Sequence, residues 1–206
     1  MWHAPGEARS VHLWSLSEDV RVERSAEDDT LLLTGPWGPE RLDRPAPSVR
    51  EALRRMELGP VVLGNAVQEF EDLRRFILPA LKRLSPLVVR TLGMDDLKGP
   101  LLSVVPSSPA APLVLIHLPG DQRVGLPDHV VITVSKSGGG CVLESVDLPH
   151  RVLLHRPEAA WVTLMLAWPV TPATAATALP LPKSVTEDII GYLYAAGMAT
   201  LVDAPP

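Results

Sequence analysis

A chain of 206 residues that is 46% hydrophobic and 21% charged carries enough apolar material for a sizeable core, which excludes disorder throughout. Its 22 prolines exclude long uninterrupted helices and leave room for few central strands. A net charge of −5 disfavours nucleic acid as a partner, because such affinity is dominated by counterion release from basic surfaces. One cysteine, Cys141, can form neither an internal disulfide nor a multi-Cys metal site, and Met1–Glu7 lacks the basic-then-apolar pattern of a signal peptide, so a reducing cytoplasm is expected. The charge-free stretch Ala159–Pro182 is densely apolar only over Ala159–Val170 and is then broken by prolines. A bilayer span needs about 20 apolar residues, so this segment is expected in the core and not in a membrane.

In chain order, Val20–Arg24 and Leu31–Thr34 alternate about the turn Ala26-Glu27-Asp28-Asp29 and predict a β-hairpin, with a third short strand at Glu40–Leu42. Pro47 opens a helix, Ser48-Val49-Arg50-Glu51 reads as its capping box, and Gly59-Pro60 stops it. Asn65-Ala66-Val67-Gln68 opens a second helix with the stripe Phe70, Leu73, Ile77, Leu81 and Leu84, which Pro79 should kink. Leu87–Leu92 and Leu101–Val105 predict a hairpin, or wing, that completes a first unit. The segment Pro106-Ser107-Ser108-Pro109-Ala110-Ala111-Pro112 has the composition of a stiff linker.

Beyond the linker the order recurs. A slide of 111 positions lays Val20–Arg44 on Val131–His155, so that Val131–Ser135 and Val142–Val146 form a hairpin about Gly138-Gly139-Gly140, and Arg151–His155 is the third strand. Pro157 begins a helix to about Ala167, Thr171-Pro172 caps a short one, and Ser184-Val185-Thr186-Glu187 boxes a last one that ends at Gly197. The expected fold is α+β: tandem winged-helix-like modules, each a small antiparallel sheet of about three strands followed by about three helices. Residues 1–105 make the first module with an added hairpin, 106–120 a Pro-rich linker, and 121–206 the second module.

No Gly-x-Ser-x-Gly elbow, phosphate loop or His-Glu-x-x-His occurs, so the common local signatures of hydrolases, nucleotide enzymes and zinc proteases are missing. His150 and His155 lack a carboxylate or cysteine to complete a metal set and read as strand-end histidines. Cys141 reads as a structural thiol, and the triple glycine as a turn rather than an anion cradle, since a strand follows it and not a helix N-terminus. The basic residues of the first module's helices are interleaved with acidic ones, as on a solvated face. In the second module the third helix, where a DNA reader would place its recognition residues, carries Glu187 and Asp188 and no Lys or Arg after Lys183.

An acidic winged helix can instead take an extended peptide on a strand edge beside its third helix. Val152 and Leu154 should face the core, leaving Arg151, Leu153 and His155 on the other face of the strand. With Glu187, Ile190 and Tyr194 of the third helix these are the expected peptide-binding residues; pairing of the strand and ordinary packing of Tyr194 is the competing reading.

Leu13-Trp14-Ser15-Leu16, Leu31-Leu32-Leu33-Thr34-Gly35-Pro36-Trp37-Gly38, Val49-Arg50-Glu51-Ala52-Leu53-Arg54-Arg55-Met56 and the run from Val152 to Trp161 (VLLHRPEAAW) together resemble the N-terminal region of SagB-type (McbC-like) azoline peptide dehydrogenases. The likeness is diffuse and spans nearly the whole chain. It implies a non-catalytic peptide-recognition and scaffold region, built from tandem peptide-clamp modules, of a flavin-dependent enzyme that oxidises thiazolines and oxazolines in ribosomally made peptides. The implied partners are a precursor (leader) peptide, a cyclodehydratase, or a second copy in a homodimer. No catalytic residue carries over, and FMN is expected in a C-terminal domain beyond residue 206. A winged-helix transcription regulator and a purely structural dimerisation module are the rival readings.

Overall fold

The computed structural model describes residues 8–25, 28–66, 70–134 and 140–202. They belong to two compact units that interleave along the chain. One comprises Met1–His12, Leu92–Val104 and Leu113–Pro206, and the other Leu13–Thr91 and Val105–Pro112. The architecture is mixed α+β with antiparallel sheets.

The chain opens with β1 (Ser10–Leu16), whose residues fall in both units. In the second unit β2 (Arg21–Ser25), β3 (Thr30–Gly35) and β4 (Gly38–Asp43) form an antiparallel sheet in that order, with Glu23 opposite Leu32 and Leu31 opposite Leu42. The β3–β4 turn is Pro36-Trp37, closed by Gly38 at φ +106°, where a side chain would be strained. Alternation puts Leu31, Leu33 and Leu42 on the face that packs with Val49, Ala52, Leu53 and Met56 of α1 (Pro47–Leu58).

The predicted capping box of α1 does not form. Pro47 occupies the first turn and no side chain caps the N-terminus, while Glu51 reaches forward to Arg54 and Arg55. Those two guanidinium groups offer charge-assisted hydrogen bonds that a backbone N–H cannot match, and they hold the Glu51 carboxyl at about 2.

After a 3₁₀ turn at Leu63–Ala66, α2 (Phe70–Asp72) runs through a π-helical turn, Leu73–Ile77, into α3 (Leu78–Arg83). The Leu78 N–H donates to the Leu73 carbonyl, five residues back. This widening lies directly before Pro79, whose ring would collide with the carbonyl four residues earlier in a regular helix, so the expected perturbation takes the form of a π-turn. Ile77, Leu81 and Leu84 of the expected stripe are buried.

The hairpin β5 (Val88–Met94) and β6 (Pro100–Pro106) forms where expected. Next come β7 (Val124–Gly125), β8 (Val131–Val134), β9 (Cys141–Glu144) and β10 (His150–Leu154), then α4 (Pro157–Met165), α5 (Pro172–Ala178), α6 (Lys183–Ala195) and β11 (Thr200–Leu201), which pairs with β7. Thr171 caps α5 as predicted, its side chain accepting from the Thr174 N–H at 3.1 Å. The box predicted for α6 is absent; Pro182 stands at its N-cap and Glu187 faces Lys183 at 3.8 Å. Gly197 ends the helix at φ +80°.

The larger sheet has the order β1-β5-β6-β10-β9-β8. Its β10 therefore has a hydrogen-bonded neighbour on each side, and the free strand edge expected at Arg151–His155 does not exist. The strand at that end of the sheet is β8, whose Val131, Ile132 and Val134 are exposed. Inside the first unit, Leu143, Val152 and Leu154 pack with Val162 and Leu166 and with Ile189, Ile190 and Leu193. The stretch Ala159–Val170 is only half core: Val162 and Leu166 are buried, but Trp161, Leu164 and Trp168 are exposed.

The internal correspondence is best at 110 positions rather than 111. Val49, Ala52, Leu53 and Met56 of α1 then match Ala159, Val162, Thr163 and Leu166, every one of them buried, and Pro47 matches Pro157. The β2–β3 pairing of Arg21 with Thr34 likewise falls on the β8–β9 pairing of Val131 with Glu144. A 111 shift would place exposed Arg41 on buried Val152, the inversion of faces that a one-residue slip causes.

Candidate functional site

In α6, Glu187, Asp188, Gly191 and Tyr192 are spaced so that one turn separates each pair, and all four line a cavity of about 290 Å³. The opposite wall is Leu115–Leu118, from a stretch that runs from Leu113 to Leu118 without turn, bend or ladder. Its residues alternate, with Leu113 and Leu115 packed against the core and Val114 and Ile116 exposed. Pro112 and Pro119 bracket it and fix the backbone at both ends. A glycine at 191 keeps the helix surface low there, since a Cβ would stand 3.5 Å from the Ile116 carbonyl oxygen.

His12 enters from β1. Its Nδ1 lies 3.0 Å from the Tyr192 hydroxyl, its ring stacks on the Tyr192 ring at 5.7 Å, and its Nε2 is 3.9 Å from Asp188 Oδ2. The Ser10 hydroxyl donates to the same Asp188 oxygen. Because that proton goes to a carboxylate and not to the imidazole, Ser10 orients Asp188 and lacks the Ser–His contact of an activated nucleophile. Among the described residues no group of three or more His, Cys, Asp or Glu is arranged to hold a metal ion. The cavity offers carboxylate oxygens, a stacked imidazole and apolar walls.

Of the expected peptide-binding residues, Glu187 alone lines this cavity. Ile190 is fully buried, and Tyr194 is half-buried against the same core. Arg151 is exposed and Leu153 half-buried, on the face of β10 opposite the core that holds Ile190. His155 follows β10, with Nε2 2.9 Å from Ser103 Oγ, and partial burial lowers its pKa. The expected constellation is thus divided between two faces of the sheet. Asp188 enters the sequence reading only as part of an acidic helix, and Tyr192, His12 and His117 not at all, because His12 and Tyr192 are 180 positions apart and share no local pattern.

A second cluster in this unit is structural. Arg156, almost buried, donates to Asp96 Oδ1 at 2.9 Å and to both oxygens of Glu158, tying the β5–β6 loop to the first turn of α4. The hydrogen bonds from Arg156 hold the Asp96 and Glu158 carboxyls below the usual carboxylate range and raise the guanidinium.

Gly140 is likewise structural, because a Cβ there would lie 2.7 Å from the Leu154 carbonyl oxygen; Gly138 and Gly139 lie outside the described residues. The glycine serves close approach of two backbones and leaves no anion cradle at that position. No described helix is long and apolar enough to cross a membrane. No protein-family model matches the chain, and no curated protein is significantly similar to it.

Proposed function

We propose that the chain is the non-catalytic peptide-recognition and scaffold region of a flavin-dependent azoline dehydrogenase of ribosomal peptide biosynthesis, built from two winged-helix-like modules and working in the cytoplasm. The observation that carries the recognition role is the cavity on α6, the third helix of the second strand-and-helix set, beside the unladdered stretch Leu113–Leu118. Leu113–Leu118 has backbone groups with no hydrogen-bond partner among the described residues, and exposed Val114 and Ile116 at alternate positions. An extended peptide laid along it gains main-chain hydrogen bonds from this stretch and side-chain selection from the cavity. The matching burial of α1 and α4 at 110 positions supports reading the two sets as one repeated module.

On this reading the precursor peptide, or a cyclodehydratase that delivers it, is the partner, and FMN belongs to a catalytic domain beyond these residues. The carboxylates of Glu187 and Asp188 disfavour the alternative of a DNA-reading winged helix, whose third helix would meet phosphates. Titration of a fluorescently labelled precursor peptide against the purified chain tests the role. Saturable binding in the micromolar range is expected; none up to high micromolar concentrations would remove recognition and leave only a structural or dimerising part. A flavin absorbance band co-purifying with these 206 residues would contradict the placement of the cofactor elsewhere.

A further inference from the structure

We infer that the cavity on α6 is a specificity pocket for an arginine side chain of the bound peptide, an inference that names the ligand class of the site proposed above and rests on that reading. Three independent features of the first unit converge on it. At about 290 Å³ the cavity is at the small end of ligand sites, the scale of one long side chain rather than a free metabolite.

Its lining carries both kinds of surface that an arginine side chain needs. Leu115, Leu118 and Pro172 supply apolar surface for an alkyl stem, and the half-exposed His12 ring, held flat against buried Tyr192, supplies a face for a planar guanidinium.

Asp188 has neither Arg nor Lys within ion-pair distance among the described residues, and Ser10 occupies only one of its oxygens. Elsewhere Arg156 holds Asp96 and Glu158, and Arg54 and Arg55 hold Glu51. Asp188 presents the same acceptor chemistry to an open cavity with no such partner. Glu187, next to it, has the exposed Lys183 at 3.8 Å as its ion-pair partner among the described residues, a contact that a guanidinium can displace. Arginine fits better than lysine because a planar fork can stack on a ring and bond a carboxylate in two places, which a point charge cannot.

The test uses the full chain and two neutral-backbone probes, Nα-acetyl-arginine amide and its uncharged isostere Nα-acetyl-citrulline amide, titrated by NMR or calorimetry. The arginine probe should bind at least about tenfold more tightly than citrulline, and Asp188→Asn should abolish the difference. Because the probe pair is compared on the unmodified protein, the result does not depend on the variant folding. Equal binding of the two probes, or failure of both to bind, overturns the arginine pocket. The labelled precursor peptide separates the two claims: peptide binding with no arginine preference retains the recognition role and rejects the pocket, and an arginine preference without peptide binding does the reverse.

Discussion

Arg156 and Asp96, sixty positions apart, meet at 2.9 Å with only 9% of the arginine side chain exposed, and Glu158 closes the other side of the guanidinium. Replacing Arg156 with Met strands two carboxylates in a partly desolvated site. A loss of about 3 kcal/mol in urea unfolding at pH 7 is expected. Both carboxyls titrate below their unfolded values, so their stabilisation is complete above about pH 5 and is lost as the pH falls through the depressed values. The gap between wild type and Arg156→Met should therefore narrow by pH 3; a gap that persists there would show that packing of the stem, and not charge, holds the site.

His155 tests a different sign. Burial lowers its pKa, so the folded state binds fewer protons than the unfolded state near pH 6. An NMR titration should place its imidazole below the usual 6.5, and stability should fall more steeply with acidification through that range in wild type than in His155→Gln, which retains a polar group facing Ser103. A titration at or above 6.5 would contradict the desolvated setting.

Ile190 and Arg151 separate the expected peptide site from the observed one. Ile190→Ala should cost about 3 kcal/mol through loss of buried volume. Arg151→Ala, at an exposed position on the other face of the sheet, should change neither stability by more than about 0.5 kcal/mol nor peptide affinity. Loss of peptide binding in Arg151→Ala would return the site to β10.

Gly191 sets stability against function. It stands inside α6, where alanine is better by about 0.8–1 kcal/mol, and an added Cβ would make only ordinary contact with the Ile116 carbonyl. Gly191→Ala should raise the unfolding free energy by several tenths of a kcal/mol while weakening peptide binding, because the methyl enters the cavity. Reduced stability in this variant would show that the cavity wall is tighter than its geometry indicates.

Much of the fold was legible because it is local. The hairpins, the proline-opened helices, the Thr171 cap and the buried Ile77, Leu81 and Leu84 stripe follow from alternation, turn chemistry and helical spacing within a dozen or so residues. The errors have specific causes. Glu51 satisfies the pattern of a capping box, but Arg54 and Arg55 are stronger partners than the backbone. A 111-residue slide aligned Val20, Leu32 and Leu42 with apolar residues yet exchanged the two faces of the strands, and burial restored 110. The edge status of β10 depended on β6, which no pattern in Arg151–His155 encodes. The cavity was half visible, in Glu187 and its acidic neighbour; the half supplied by Ser10 and His12 is a matter of distant pairing.

The interleaving of the units also orders events on the ribosome. The second unit lacks nothing once Pro112 has emerged, whereas Ser10 and His12 cannot meet Asp188 and Tyr192 until α6, more than 170 residues later, has left the exit tunnel. The sheet neighbour of the N-terminal strand, β5, is made early, but the cavity stays without its second wall until α6 follows, so the site is completed long after the strand that carries Ser10 and His12 has a partner to pair with.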